Sequence, residues 1–519
     1  MPREQHPVTP PDGSVIERLR DRFDEVDYRV DPVTQLLGDE GHAALGRNHT
    51  VPGRRALSGD TGALATLTGL WLLQDPVPRG QLDRALPGLV EPLLQSGILT
   101  PEGDQVRAAV DIRPYGSDDG LDAWVVCDLT PGMDGRTDQV GDDYVLGVSP
   151  ASTTLTQLAT RTPVGTALDL GTGCGVQSLH LARHAERVVA TDVNPRALRL
   201  AQWTFALNRL QVDLRHGSLY EPVGHERFDQ VVSNPPYVIS PPDSAHLTYR
   251  EQAMPGDQLV REVVAGAVRR LNPGGTAQVL ANWIHPRGGD WGERLESWVA
   301  GTDCDLHVLQ REVLDPAEYV ELWLADAGLN GTPQYRTASA HWLDHLAALG
   351  VEAIGMGWIL LSRSGRQVAE LTVEDWPGRI VQPIGLDIAA WPTRSGLAQR
   401  PLDELRRTRF AVAHDVVAET YGRPGAADPA RLVLQQTQGL CRTHVVSSEL
   451  AGIVGACDGE LALGAIIDAV AQIVDADAHQ LTEQVVPELR TLVRHGLLTA
   501  APTPAAAGTR TIGATGAAG

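Results

Sequence analysis

The tetrapeptide Asn234-Pro235-Pro236-Tyr237 carries the residue types in this chain best suited to chemistry on a flat nitrogen group. It follows an apolar run, residues 228–233, that predicts a buried strand ending at the tetrapeptide. Two prolines remove two backbone donors and fix φ at about −65°, so the Asn234 side chain and the Pro235 carbonyl are presented as acceptors on a stiff backbone. An amide or amine NH₂ group would satisfy both acceptors, and Tyr237 offers a face for stacking. A Pro-Pro turn after a strand is also typical of a simple stiff loop.

A strand, a glycine loop and a helix precede this motif. Residues 166–170 read as a strand that runs into Gly171-Thr172-Gly173-Cys174-Gly175, and residues 176–185 have helical spacing. Glycines permit positive φ and close backbone approach, and a helix N-terminus offers N–H groups to a polar ligand. A second strand, residues 187–191, ends in Asp192, where an acid would hold the ribose hydroxyls of a nucleoside.

The glycine spacing selects between cofactors. A dinucleotide fingerprint places its third glycine at position 176, where this chain has valine; here the third glycine is Gly175, and Asp169 stands just before the loop. This pattern disfavours NAD. It resembles the Asp/Glu-x-Gly-x-Gly-x-Gly loop of class I S-adenosylmethionine-dependent methyltransferases. Asp192 and Asn-Pro-Pro-Tyr follow in the order that the resemblance requires.

The resemblance implies S-adenosylmethionine as the cofactor and assigns a set of residues to it. Asp169 would lie near the methionine part, Asp192 would bind the ribose, and Ser218 occupies the place where such enzymes usually carry an Asp beside the adenine. The predicted cofactor-binding residues are Asp169, Gly171, Thr172, Gly173, Gly175, Asp192, Val193, Asn194, Ser218, Leu219 and Asn234. The predicted catalytic residues are Asn234, Pro235, Pro236 and Tyr237. Tyr144 and Thr153 would either close over the cofactor or make a linker contact.

Asn-Pro-Pro-Tyr at this place is similar to the amino-methyltransferases that modify planar nitrogen: the glutamine, adenine-N6 and guanine-N2 enzymes. The resemblance covers roughly residues 144–363. It implies transfer of a methyl group to an amide or amino nitrogen, with a protein or peptide acceptor preferred and a nucleobase in RNA or DNA as the alternative. A third hypothesis is a binding or regulatory protein that keeps the cofactor fold without turnover.

Composition narrows the choice of partners. The chain has 519 residues, 42% of them apolar, and a net charge of −22; lysine is absent, so all 43 cationic side chains are arginine. The net negative charge disfavours strong sequence-independent binding to a phosphate backbone. No apolar stretch approaches the roughly 18 residues of a membrane span, so a soluble, cytoplasmic protein without a membrane partner is expected. Five scattered cysteines without Cys-x-x-Cys predict free thiols and no metal site.

The predicted fold class is α/β: a seven-stranded, doubly wound, Rossmann-like methyltransferase domain with flanking helical and winged-helix-like domains. The oligomeric state is left open. The predicted domains are residues 1–143, mostly helical and winged-helix-like near 60–112; 144–365, the methyltransferase; 366–500, with a hairpin and a winged-helix-like part; and 501–519, a disordered tail. The hairpin, or a set of short strands, is predicted over residues 368–391. Within the methyltransferase we predict a helix over residues 257–271 and strands over 276–282 and 353–362.

Overall fold

The computed structural model describes residues 7–10, 12–136, 140–242, 254–424 and 430–501. The chain forms two compact units, Met1–Pro377 and Gly378–Gly519. Each unit has its own buried apolar core. Apart from Ala501, the predicted tail lies outside the described residues.

The N-terminal region is mainly helical, with short strands near its end. Its helices are α1 (Gly13–Glu25), α2 (Val30–Leu45), α3 (Val51–Ala56), α4 (Ala63–Trp71), α5 (Arg79–Ala85) and α6 (Val90–Gln95). Its strands are β1 (Val77–Pro78), β2 (Leu99–Glu102), β3 (Gln105–Ala108), β4 (Asp111–Gly116) and β5 (Asp122–Cys127). Strands β1, β3 and β2 form one antiparallel sheet, and β4 pairs with β5. Helix α6 is followed by the β2–β3 hairpin in this region, and its winged-helix identity stays a prediction.

The N-terminal region shares its core with the region that follows it. Phe23 packs against Trp71 and Trp124 with ring centroids 5.4 Å apart in each pair. The same cluster of buried side chains includes Leu200 and Trp203, which lie on a helix of the next region. Burying aromatic side chains across this junction favours one continuous folding unit.

A large mixed sheet forms the centre of the first unit. Its elements are α7 (Pro150–Leu158), β6 (Val164–Leu170), α8 (Val176–Leu181), β7 (Ala185–Asp192), α9 (Pro195–Leu207), β8 (Val212–His216), β9 (Phe228–Ser233), α10 (Gln258–Arg270), β10 (Leu271–Pro286), α11 (Trp291–Glu296), β11 (Asp305–Leu314), α12 (Pro316–Asp326), α13 (Tyr335–Ala348), β12 (Val351–Ser362) and β13 (Leu371–Asp375). The strand order is β13-β11-β12-β10-β9-β6-β7-β8. Of the paired strands, β12 runs antiparallel to both neighbours. The α/β, Rossmann-like part of the fold prediction is therefore confirmed.

The predicted count of seven strands is not confirmed, because the described sheet has eight. Strand β13 pairs in parallel with β11, from Leu306 opposite Leu371 to Gln310 opposite Asp375. We predicted a hairpin or short strands over residues 368–391; the structure has this one strand, and a helix begins at Gly385. Pro377 and Gly378 follow the strand. Because proline has no N–H to donate to a ladder hydrogen bond, the strand does not continue through them.

The end of α8 and both ends of β10 also differ from the sequence prediction; β10 begins at Leu271 rather than at residue 276. Helix α8 ends at Leu181 rather than near residue 185, because β7 already begins at Ala185 and pairs there with Val164. Strand β10 extends to Pro286, since its second half continues to pair with β12 after its last pairing with β9 at Val279.

The second unit contains two small antiparallel sheets and five helices among its described residues. These elements are α14 (Gly385–Ala398), α15 (Leu402–Arg407), β14 (Arg409–Val412), β15 (Val416–Tyr421), β16 (Arg431–Gln436), β17 (Thr443–Val446), α16 (Ser448–Gly455), β18 (Asp458–Ala462), α17 (Leu463–Ile473), α18 (Ala478–Arg494) and β19 (Leu498–Ala500). The sheet orders are β18-β14-β19 and β15-β16-β17. Throughout the described chain, every helix is too short or too polar to cross a bilayer.

Candidate functional site

A cavity of about 190 Å³ opens at the carboxyl ends of β6, β7 and β9. Ligands of open α/β sheets bind at this edge, because the loops that follow parallel strands meet there. The cavity brings together most of the residues predicted for cofactor and acceptor. Those that line it are Gly171, Thr172, Gly173, Asp192, Val193, Asn194, Ser218, Leu219, Asn234, Pro235 and Pro236.

The glycine loop forms the floor of this cavity. Gly171 and Gly173 have φ values of 77° and 55°, which β-carbon-bearing residues rarely adopt. The Gly171 and Thr172 N–H groups each donate to the Thr191 carbonyl at 2.9 Å, which fixes the loop to the end of β7. A Cβ at Gly171 or Gly173 would meet no atom within 4 Å, so both glycines face open space that a ligand can occupy.

Asp192 stands at one end of the cavity with its carboxylate held by backbone donors. Gly173 N–H donates to Asp192 Oδ2 at 2.9 Å, and Asn194 N–H donates to Asp192 Oδ1 at 2.8 Å. Burial raises the pKa of Asp192, and these backbone hydrogen bonds act in the opposite direction. A fixed carboxylate with remaining lone pairs is suited to accept hydrogen bonds from a vicinal diol.

Asn234 lies at the end of β9 with a side-chain oxygen that no described residue pairs with. Its Oδ1 is shielded from solvent and has no hydrogen-bond partner among the described residues. Burying an acceptor without a donor costs free energy, so such an atom calls for a partner such as a bound ligand or a water. The chemistry that would satisfy Asn234 is an N–H donor brought in by a ligand.

The loop that carries Asn234 is anchored on both sides. Before it, Ser233 Oγ donates to the Leu170 carbonyl at 2.8 Å. After it, Ile239 N–H donates to Tyr319 Oη at 2.9 Å, and Asn282 Nδ2 donates to the same oxygen at 3.1 Å. These bonds, with the two prolines, fix the direction in which Asn234 points.

Three predicted site residues do not line the cavity. Asp169 is buried beneath the loop, where its Oδ2 accepts from Thr172 Oγ1 at 2.7 Å and from the N–H and Oγ of Ser178 at 3.0 and 2.7 Å. Burial raises the pKa of Asp169 to about 6. Gly175 has φ 88°, and a Cβ there would lie 2.6 Å from the Phe205 ring.

Tyr237, the third of these residues, is half-buried and packs against another aromatic side chain. Its ring centroid is 6.4 Å from that of Trp323, with the rings at 64°. Tyr237 also contacts the cluster of Val238, Ile239 and Tyr319 below the loop. The structure therefore gives Tyr237 a supporting contact, and its stacking role stays a prediction.

The sequence reasoning missed part of the cavity wall. Val145, Leu146 and Gly147 line it beside Tyr144, whereas Thr153 does not. Leu259 and Val263 of α10 line the opposite side. Beyond the periodicity of a helix, nothing in the sequence marks Leu259 and Val263 as residues of a binding site.

His180, on the helix after the glycine loop, is buried in a polar network. Arg161 Nη2 donates to His180 Nδ1 at 3.0 Å, so the proton of the neutral ring is on Nε2, which lies 2.8 Å from Tyr115 Oη. Burial, with the positive charge of Arg161 next in effect, lowers the pKa of His180 to about 3.

This network predicts an acid-sensitive fold. The His180 pKa in the folded state lies below its ordinary value of 6.5, so the unfolded chain takes up the proton first. The stabilisation is fully present above pH 6.5 and is lost as the pH falls towards 3. Between about pH 7.5 and pH 5, the free energy of unfolding should fall by about 2 kcal/mol more in the native chain than in His180→Gln. Urea unfolding at both pH values measures this difference; equal losses in the two proteins would contradict it.

Three family models match separate parts of this chain. Residues 147–287 match the methyltransferase small domain. Residues 25–109 and 389–500 match two domains of unknown function, DUF7059 and DUF7782. The match to residues 147–287 covers the glycine loop, Asp192 and Asn234, and it confirms two predictions: this segment is a methyltransferase domain, and its cofactor is S-adenosylmethionine.

Two curated relatives of this chain are methyltransferases of different kinds. The chain is 36% identical over 124 residues to the release factor glutamine methyltransferase of Geobacter sulfurreducens, covering 22% of this chain and 43% of the relative. It is 30% identical over 177 residues to the ribosomal RNA small subunit methyltransferase C of Salmonella arizonae, covering 34% and 45%. The chain thus spans less than half the length of these two relatives.

A solved structure, the T. thermophilus 16S rRNA N2 G1207 methyltransferase with AdoMet and guanosine, has 15% identity and a TM-score of 0.28. The match covers 58% of this chain and 70% of the chain in that structure.

The residues of the cavity fit S-adenosylmethionine. The open glycines admit close approach of the cofactor, the Asp192 carboxylate matches the ribose hydroxyls, and apolar side chains such as Leu170 and Val176 line the remainder. Asn234 lines the same cavity, and its Oδ1, which has no partner among the described residues, is left over for a second ligand.

Proposed function

We propose that this protein transfers a methyl group from S-adenosylmethionine to a planar amide or amino nitrogen. The observation that carries the proposal is Asn234 Oδ1, a solvent-shielded acceptor without a partner in the described part of the chain, on a side chain that lines the same cavity as Asp192. An oxygen acceptor without a partner requires a donor, and an NH₂ group is a donor of the matching shape.

The chain's own residues supply position rather than a strong base. When bound, S-adenosylmethionine supplies an electrophilic methyl group. Asn234 Oδ1 and the Pro235 carbonyl would each accept one N–H of the acceptor, which holds its nitrogen lone pair towards the cofactor. These oxygens also stabilise the positive charge that develops on nitrogen, while the prolines keep the loop from relaxing. The proton becomes acidic as the new bond forms, so its removal needs no strong base.

A protein or peptide acceptor is the first candidate. The net charge of −22 disfavours a nucleic-acid backbone as the main contact. One relative is named as a glutamine methyltransferase of release factors, which is a protein acceptor. A side-chain amide presents the flat NH₂ group that Asn234 requires.

A nucleobase amine is the second candidate. The other curated relative is named for ribosomal RNA, and its matched segment is the longer of the two. An exocyclic base amine has the same flat donor geometry as an amide, so the Asn234 loop alone does not separate the two acceptors. A base would have to be unstacked or already unpaired to reach the cavity.

Labelling separates these acceptors. The full chain is incubated with methyl-tritiated S-adenosylmethionine and cell extract, and the labelled material is digested with protease or with nuclease. Release of label by protease alone supports the protein acceptor, and release by nuclease alone overturns it in favour of the nucleobase. Cofactor binding without any labelling in extract would contradict the transferase and favour a binding protein that retains the fold.

A further inference from the structure

A buried ion pair stands where two walls of the cofactor cavity meet. The side chains of Asp128 and Arg196 are 5% and 4% exposed. Arg196 Nε donates to Asp128 Oδ2 at 2.9 Å, and Arg196 Nη2 donates to Oδ1 at 2.5 Å. Asp128 follows β5 in the N-terminal region, and Arg196 lies in the first turn of α9. A pair buried this completely is expensive to desolvate, so stability alone is a weak reason for it.

Asp128 fixes the wall formed by residues 144–147. Its Oδ2 accepts the Val145 N–H at 2.8 Å, and its own N–H donates to the Val145 carbonyl at 3.1 Å. This segment also packs closely on β5, because a Cβ at Gly147 would lie 2.7 Å from Cys127 Sγ. The segment is therefore tied to the N-terminal region at its backbone.

Arg196 fixes the wall that carries Asp192. Its N–H donates to Asn194 Oδ1 at 2.9 Å, and Asn194 N–H donates to Asp192 Oδ1 at 2.8 Å. Asn194 Nδ2 also donates to the Asp143 carbonyl at 2.8 Å, which connects this wall to the segment that begins at Tyr144. One continuous set of hydrogen bonds thus runs from the Asp192 carboxylate to the backbone just before the Tyr144–Gly147 wall.

We propose that Asp128 and Arg196 are positioning residues for the cofactor, which makes the N-terminal region a working part of the S-adenosylmethionine site. The inference rests on the proposed function. The pair holds the Asp192 wall and the Tyr144–Gly147 wall at the separation that the bound cofactor needs. Without the pair, the Asn194–Asp143 hydrogen bond still joins the two walls but they move more freely, so the cofactor must order them when it binds and its affinity falls.

A second buried aspartate provides a matched control. Asp305 is fully buried, pairs with Arg366 Nη2 at 2.5 Å and accepts the Glu370 N–H at 2.8 Å. Like Asp128, it combines one arginine with one backbone donor. It lies at the start of β11 and does not line the cavity.

The test measures S-adenosylhomocysteine affinity by calorimetry, together with melting temperature, on the full chain and its variants. Asp128→Asn and Asp305→Asn should both melt at lower temperature than the native chain, because each neutralises a buried carboxylate that pairs with an arginine. The loss should be smaller in Asp305→Asn, since Arg366 keeps Glu370 Oε2 at 3.0 Å. Only Asp128→Asn should bind S-adenosylhomocysteine more weakly, by about tenfold. Native affinity in Asp128→Asn, or an equal loss in Asp305→Asn, would overturn the inference.

A double variant keeps the test valid if Asp128→Asn does not fold. Asp128→Leu with Arg196→Met replaces the pair by apolar side chains of similar volume, which buried pairs often tolerate. Its melting temperature should recover while its affinity stays about tenfold low, since Val145 N–H still lacks an acceptor. Recovery of both would show that the pair acts only on stability and would overturn the inference. Failure of the native chain to bind S-adenosylhomocysteine would instead overturn the proposed function.

Discussion

Replacing Asn234 by alanine is expected to lower the rate of methyl transfer by about 10²–10³-fold, the loss typical when one preorganised hydrogen-bonding group is removed from a transition state. Affinity for S-adenosylhomocysteine should stay within about twofold of the native value, because Asp192 and the glycine loop remain in place. The fold should not weaken, since Asn234 Oδ1 has no partner to lose among the described residues. Transfer rates on the labelled acceptor, with calorimetric binding, measure this separation.

The control for this variant is Asn330→Ala, which removes the same side chain from an exposed position between α12 and α13. It should change neither the rate nor the affinity. Undiminished transfer in Asn234→Ala would remove Asn234 from the reaction.

Replacing Asp192 by alanine is expected to weaken S-adenosylhomocysteine binding by about 10²-fold or more. The change removes a charged acceptor for ribose hydroxyls, and each hydrogen bond to a charged group contributes about 1.5–3 kcal/mol. It also removes the acceptor of the Gly173 and Asn194 N–H groups, so the glycine loop and the turn at Asn194 each lose a hydrogen bond. Asp192→Asn keeps one acceptor oxygen and should show an intermediate loss. Isothermal titration of each variant gives the affinities.

Asp213→Ala serves as the comparison for Asp192→Ala. Asp213 lies on the adjacent strand β8, is exposed and pairs with Arg215 Nη2 at 2.6 Å. Asp213 is absent from the described residues that line the cavity, so its loss should leave binding unchanged. Native affinity in Asp192→Ala would mean that the cofactor is held elsewhere.

The parts of the site predicted from the sequence are those encoded locally. The glycine spacing at residues 171–175 and the Asn-Pro-Pro sequence fix backbone geometry within a few residues, and both lie at the cavity. Asp192 could be placed because it ends a strand whose apolar pattern is continuous. In each case the neighbouring residues in the chain determine the result.

The parts that the sequence did not predict depend on contacts between distant residues. Asp128 and Arg196 are 68 positions apart, and Tyr319 reaches Ile239 across 80 positions. Strand β13 was missed for the same reason, because its partner β11 lies about 65 residues earlier and a short run has no distinctive pattern of its own.

Asp169 illustrates a different limit. An acid before a glycine loop has the same sequence whether its carboxyl faces the ligand or supports the loop from beneath. Here the hydroxyl and backbone donors of Thr172 and Ser178 draw the carboxyl inwards. The direction of a side chain at the end of a strand is decided by such partners, which spacing alone does not reveal.

The central claim is that Asn234 holds an acceptor nitrogen beside a cofactor fixed at Asp192. A crystal structure of the full chain with S-adenosylhomocysteine tests it most directly. We predict the ribose on the Asp192 carboxylate and the sulfur turned towards the side of the cavity that contains Asn234 Oδ1. A cofactor bound outside this cavity, or a sulfur directed away from Asn234, would contradict the account.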